Sequence, residues 1–227
     1  MKVGPGPSGL VGGKAAQAMT PRPRRLPRLV ALALVVVTAT GAAATYESAS
    51  TRIRGEIASV EGDRLTIRAR DGSTVRVQLA AGHQVTAVLP ADLESVEPGA
   101  FVGAAAVPQP DGRLEALEVA IFPEAMRGAG EGHYPWDLSP ESTMTNATVD
   151  AVAGSGPDGS VLTLTYPGGE ATVVVPPGTP VVRLEPGDAG LLQPGSHVFI
   201  PVAERQPDGA LLAAVVAVGR DGLVPPM

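Results

Sequence analysis

The chain has no cysteine. That excludes disulfides, thiol nucleophiles, zinc–thiolate sites and lipid attachment to a cysteine behind a leader. Aromatic residues fill only 3% of the 227 positions, which leaves few rings for stacking bases. Beyond residue 45 there is no lysine, and 11 arginines face 23 acidic residues, a net charge of −12. A body of that sign is expected to repel nucleic acid and anionic membranes. Long apolar runs are scarce too. The longest candidate, Leu29 to Ala39, is short for a bilayer span and is followed by small residues, so no span is expected in the mature protein.

Glycine (28) and proline (23) are abundant, and 44% of residues are hydrophobic, mostly Val, Ala and Leu. This composition suits many short strands joined by tight turns better than long helices. The N-terminal stretch differs. Six of the 17 basic residues and no acidic one lie before residue 45. Arg22 to Arg28, then the apolar run, then Ala42-Ala43-Ala44 form the order of a secretory signal peptide. Residues 1–44 therefore read as a leader, with Met19 the more ordinary start, and the mature chain as exported to the periplasm or cell envelope.

The rest is written twice. Ile57 and Val60 correspond to Val149 and Val152. Leu65-Thr66-Ile67 corresponds to Leu162-Thr163-Leu164, Gly82 to Gly178, Pro98-Gly99 to Pro194-Gly195, and Asp111-Gly112 to Asp208-Gly209. Within the first copy, Leu65 to Arg68 and Val75 to Leu79 alternate apolar and polar, with Asp71-Gly72 as a hairpin turn between them. Val85–Leu89, Phe101–Val107 and Leu114–Ile121 are further strands, and Pro90 to Val96 can form one helical turn. The expected fold is all-β: two tandem small OB-like antiparallel barrels, of five to six strands each. Residues 51–122 and 145–220 are the repeats, 123–144 is a Trp-containing linker, and 221–227 is a tail.

The residues Gly55, Ile57, Val60, Leu65, Val75, Pro98, Gly99, Val102, Asp111 and Gly112 carry a pattern that resembles a bacterial exported family of unknown function, built from tandem OB-like barrel repeats. In the second copy Ala147 replaces the leading Gly55. The resemblance implies a fold and an exported location, and no reaction.

Candidate chemistry is sparse. His83 and His197 have no counterpart in the other copy and read as turn and sheet residues. There is no nucleophile elbow and no phosphate loop, so an enzyme is not expected and no cofactor is assigned. The linker holds the unusual density: the only Trp, two of five Met and one of three His. Tyr134, Trp136, Asp137 and Arg127 are the candidate contact surface, with the rings plugging the space between barrels. Met126, His133 and Met144 form an alternative set, thioether plus imidazole, that suits copper. The expected role is a non-enzymatic binding or structural module of the envelope, with a protein, peptide or glycan as partner. The alternative is a periplasmic copper-handling accessory that uses the linker.

Overall fold

The computed structural model describes residues 50–156 and 159–227. The expected leader and the Met19 start lie outside the described residues. Twelve strands follow in order: β1 (Ser50–Glu61), β2 (Arg64–Ala69), β3 (Thr74–Pro90), β4 (Phe101–Pro108), β5 (Leu114–Ile121), β6 (Gly132–Pro135), β7 (Thr143–Gly156), β8 (Gly159–Tyr166), β9 (Gly169–Val175), β10 (Val181–Pro186), β11 (His197–Arg205) and β12 (Leu211–Gly219). Among the described residues the only helical elements are three-residue 3₁₀ turns. None is long and apolar enough to cross a membrane. The expected all-β class holds, and the turn after Pro90 is the 3₁₀ turn Leu93–Ser95. Tight turns fall on glycines that the pattern marks. Gly72, Gly112 and Gly209 sit at φ of 84–86°, a region open to glycine because it lacks a Cβ.

β1, β2, β3, β12 and β11 form a closed five-strand barrel. The β1–β2, β2–β3, β11–β12 and β1–β11 pairs are antiparallel, and β12 closes on β3 in parallel. Its core is Ile57, Ile67, Leu65, Val77 and Ile200, each at most 1% exposed, with Val216 and Leu79 beside them. Full burial of side chains of this size is worth about 1.5–3 kcal/mol each. The inward residues follow the period-2 pattern expected of strands.

The remaining strands lie outside this barrel. β10 joins β3 to β5, antiparallel to the first and parallel to the second. Beyond it come β5, β4, β7, β8 and β9, and β9 returns to β5 at Leu114↔Val173 and Glu115↔Val174. These strands turn their inner faces onto a second core that includes Val102, Val119, Leu162 and Leu164. A third core of Val88, Ala120, Val182, Leu184, Phe199, Ala217 and Met227 lies where the strands around β10 meet.

The closed barrel is not built from one sequence copy, as a tandem arrangement expects. It takes β1–β3 from the segment expected to be the first copy and β11–β12 from the segment expected to be the second. The cause is local. β3 runs through 17 residues, past Gly82 at φ 73°, where two separate strands were expected. The corresponding stretch in the second copy is interrupted by Pro176, Pro177 and Pro180, which cannot donate to a ladder. β3 stays paired with β12 as far as Val88↔Gly219 and also pairs with β10 to Pro90↔Val182, and β4 and β5 follow outside the barrel. In the β3–β10 ladder Val88 faces Leu184, flanked by Pro90↔Val182 and Thr86↔Pro186. With the 96-residue offset of Gly82 and Gly178, each of these pairs is the image of another, so the ladder is symmetric about Val88 and Leu184.

Candidate functional site

Two features adjoin each other on the closed barrel: the loop carrying Trp136, and an open groove over the outer face of β1, β2 and β3. The loop is set by its own polar groups. β6 pairs with β7 from Gly132↔Asn146 to Pro135↔Thr143. The Trp136 backbone N–H then donates to Ser142 O at 2.7 Å, and the buried Ser142 Oγ lies 3.1 Å from Trp136 O and accepts the Ser139 N–H at 3.1 Å. The Trp136 ring meets Phe199 of β11 edge-on at 6.1 Å and Tyr134 at 6.1 Å. The Arg52 guanidinium lies 3.9 Å above it. Such a stack is worth about 0.5–2 kcal/mol according to how dry it is.

Asp137, next along the loop, accepts a two-pronged contact from Arg54, Nη1 to Oδ2 at 3.0 Å and Nη2 to Oδ1 at 2.7 Å. Arg52 Nη1 lies 3.7 Å from the same carboxylate. The Arg54 hydrogen bonds hold the Asp137 carboxyl below the usual carboxylate range, against the opposing effect of partial burial. Arg54 Nε also donates to Met227 O at 2.5 Å, and Arg70 Nη2 to Pro225 O at 2.6 Å. The final residues therefore lie across two arginines, with Met227 buried in the third core.

Beneath them is a buried acid. Glu118 of β5 is 1% exposed, and neither carboxyl oxygen has a hydrogen-bond partner. Burial pushes its pKa up to about 8, while Arg54 and Arg70 pull it the other way. At neutral pH the group is mostly the neutral acid.

The groove encloses about 1620 Å³ and is lined by β1, β2, β3, the turn between β11 and β12, and Asp137 and Leu138. Six arginines line it: Arg52, Arg54, Arg64, Arg70, Arg76 and Arg205. Outside it, Arg68, Arg113, Arg127 and Arg183 each pair with a carboxylate, while the exposed Arg220 has none within ion-pair distance among the described residues. Within it only Arg52 and Arg54 pair with one, both with Asp137. Arg64 bonds Gln78, Arg205 bonds Gly209 O, and among the described residues no carboxylate comes within ion-pair distance of Arg64, Arg70, Arg76 or Arg205. Two of the groove's acids are occupied by their own turns: Asp71 accepts the Ser73 N–H and Asp208 the Ala210 N–H. With six arginines against Glu61, Asp71, Asp137 and Asp208, the groove is net positive on a strongly acidic body. The guanidinium fork matches carboxylate and phosphate geometry.

Of the expected contact residues, Tyr134, Trp136 and Asp137 come together at this site. Arg127 does not. It forks onto Glu124 at 2.7 Å twice and donates to Gly99 O, which pins the 3₁₀ turn Glu124–Met126 beside β4 and β7. The residues of the copper reading are spread out. Met126 packs on the third core with Trp136. Tyr134 faces the buried Met144 across β6 and β7, so His133, the next residue, points to the opposite side. There it meets Thr145 Oγ1 at 2.8 Å and stacks on Tyr166. Among the described residues no three His, Asp or Glu side chains gather as metal ligands. Sequence reasoning missed the arginines and Glu118. No protein-family model, curated protein or solved structure matches the chain.

Proposed function

We propose that this chain is an exported, non-enzymatic binding module of a bacterial cell envelope, with the arginine groove and the Trp136 loop as its contact surface. The observation that carries the reading is the gathering of four arginines without carboxylate partners in one open groove of an otherwise acidic body. Four of the five arginines elsewhere among the described residues pair with a carboxylate, Arg220 being the exception, so the unpaired guanidiniums concentrate in the groove, where they can meet a partner. The N-terminal leader pattern and the resemblance to an exported family support the location. The scaffold reads as two OB-like barrels that have exchanged their last two strands. In each ring a three-strand meander is closed by a hairpin drawn from the other copy, and the third strand runs parallel to the hairpin's second strand. Exchange places the β11–β12 turn of one copy at the mouth of a groove made by the other.

Cosedimentation of the purified mature chain with envelope material from its source bacterium tests the reading. The expected result is retention that falls at least tenfold on Arg64→Glu/Arg76→Glu and is unchanged by Arg183→Glu. Absence of retention, or retention indifferent to both changes, overturns it.

A further inference from the structure

We infer that the groove takes an extended acidic peptide segment of a partner protein, with carboxylates on alternate residues; this deepens the binding reading above and rests on it. Three observations select that class. The first is spacing. Arg64 faces Gln78 across the β2–β3 ladder and Arg76 faces Thr66, so the Cα atoms of the two arginines are diagonal neighbours with side chains on one face. Such diagonals are about 7–8 Å apart. In an extended chain, side chains two residues apart lie on one side at about 6.6 Å. Carboxylates at positions i and i+2 therefore meet Arg64 and Arg76 in turn.

The second observation is mixed charge. Glu61, Asp71 and Asp208 line the same groove as the arginines. A polymer with a negative charge on every unit is set against these acids, and like charges brought together in an interface are costly. A peptide interleaves its carboxylates with backbone N–H groups, for which Glu61 and the Ser59 and Thr66 hydroxyls offer acceptors in the lining. The third is the lining itself, which contains no aromatic side chain. Single-stranded nucleic acid binds largely by stacking its bases on such rings. Arg70 and Arg54 close one end, each already holding a main-chain oxygen, of Pro225 and Met227. They show that guanidiniums at this site accept a peptide backbone as a partner.

Fluorescence anisotropy with labelled probes tests the inference on the intact mature chain. The probes are an octapeptide of alternating Glu and Ser, the matching Lys–Ser peptide, an oligothymidylate and an oligogalacturonate. The expected result is saturable binding of the Glu–Ser peptide at low salt, at least tenfold tighter than the other three. It is weakened at least tenfold by Arg64→Ala/Arg76→Ala and left unchanged by Arg183→Ala, with all variants melting within a few degrees of the parent. Equal or tighter binding of the oligonucleotide or the sugar overturns the peptide inference, as does peptide binding indifferent to the groove change. If the groove variant loses retention on envelope material yet no probe prefers the Glu–Ser peptide, the inference fails and the binding reading stands. If retention is also indifferent, both fail.

Discussion

At the scale of single residues, Trp136 has two roles that substitution separates. Its ring fills space between Phe199, Tyr134 and Arg52, while its buried Nε1 has no acceptor. Trp136→Ala removes the packing and is expected to cost about 2–4 kcal/mol, the lower part of the range for buried aromatic truncations because the side chain is only partly buried. Trp136→Phe removes the orphaned donor as well as some area, and is expected to stay within about 1 kcal/mol of the parent. Denaturant titration followed by far-UV circular dichroism checks both. Glu118 gives a pH signature. Its folded-state pKa, about 8, lies above the ordinary 4.5, so between those values the folded chain holds the proton that the unfolded chain gives up. Stability from this group is therefore fully present below about pH 4.5 and falls as pH rises through 8, by a few kcal/mol in all. Glu118→Gln is expected to raise the melting temperature at pH 9 relative to the parent and to change it little at pH 5. Trp136 was legible because a lone Trp in a cysteine-free, ring-poor chain needs a packing partner. The arginines were not, since an arginine on a strand normally reads as a solvated outer face. Nor was Glu118: a bulge in β5 pairs Glu115 with Val107 and Glu118 with Ala105, so both glutamates lie on one face, and strand parity does not tell the buried one from the exposed one. Glu115 is exposed and Glu118 is buried.

At the scale of elements, the last residues act as a cover. Leu223 and Met227 pack on the third core, and Pro225 O and Met227 O occupy Arg70 and Arg54. Gly219 is needed where the cover folds back, because a Cβ there would stand 1.8 Å from Leu223 O. The earlier 3₁₀ turn Glu124–Met126 covers the same core with Met126, at the corresponding place after β5. Truncation after Gly219 is expected to cost about 3 kcal/mol, from the two apolar side chains. For a domain of this size that lowers the melting temperature by about 6–12 °C, which differential scanning calorimetry reads directly. Strand existence and turn chemistry were visible beforehand, because alternation and Asp-Gly turns are local properties. The cover was not, because a short Pro-rich end has no periodicity. Nor was β6, whose four residues form a strand only by lying against β7.

At the scale of the whole molecule, the repeat expected from the sequence did not disclose which strands pair. Internal similarity shows that two segments share a pattern, but the same hairpin pattern satisfies the ladder of either copy. The choice falls to the connection, here the uninterrupted β3 on one side and Pro176-Pro177 on the other. Closure of the barrel by β12 on β3 makes the groove a joint product of β1–β3 and the β11–β12 turn, so the proposed function depends on that pairing. The most direct test uses the absence of cysteine, which leaves a clean background for engineered pairs. Glu56 of β1 is in register with His197 of β11. If each copy closed its own barrel, Glu56 would instead face Phe101, the residue of β4 that corresponds to His197. The measurement is the yield of intramolecular disulfide after mild oxidation, read by non-reducing peptide mapping, in Glu56→Cys/His197→Cys and in Glu56→Cys/Phe101→Cys. The account predicts a crosslink in the first variant and none in the second. A crosslink in the second, with none in the first, would contradict it.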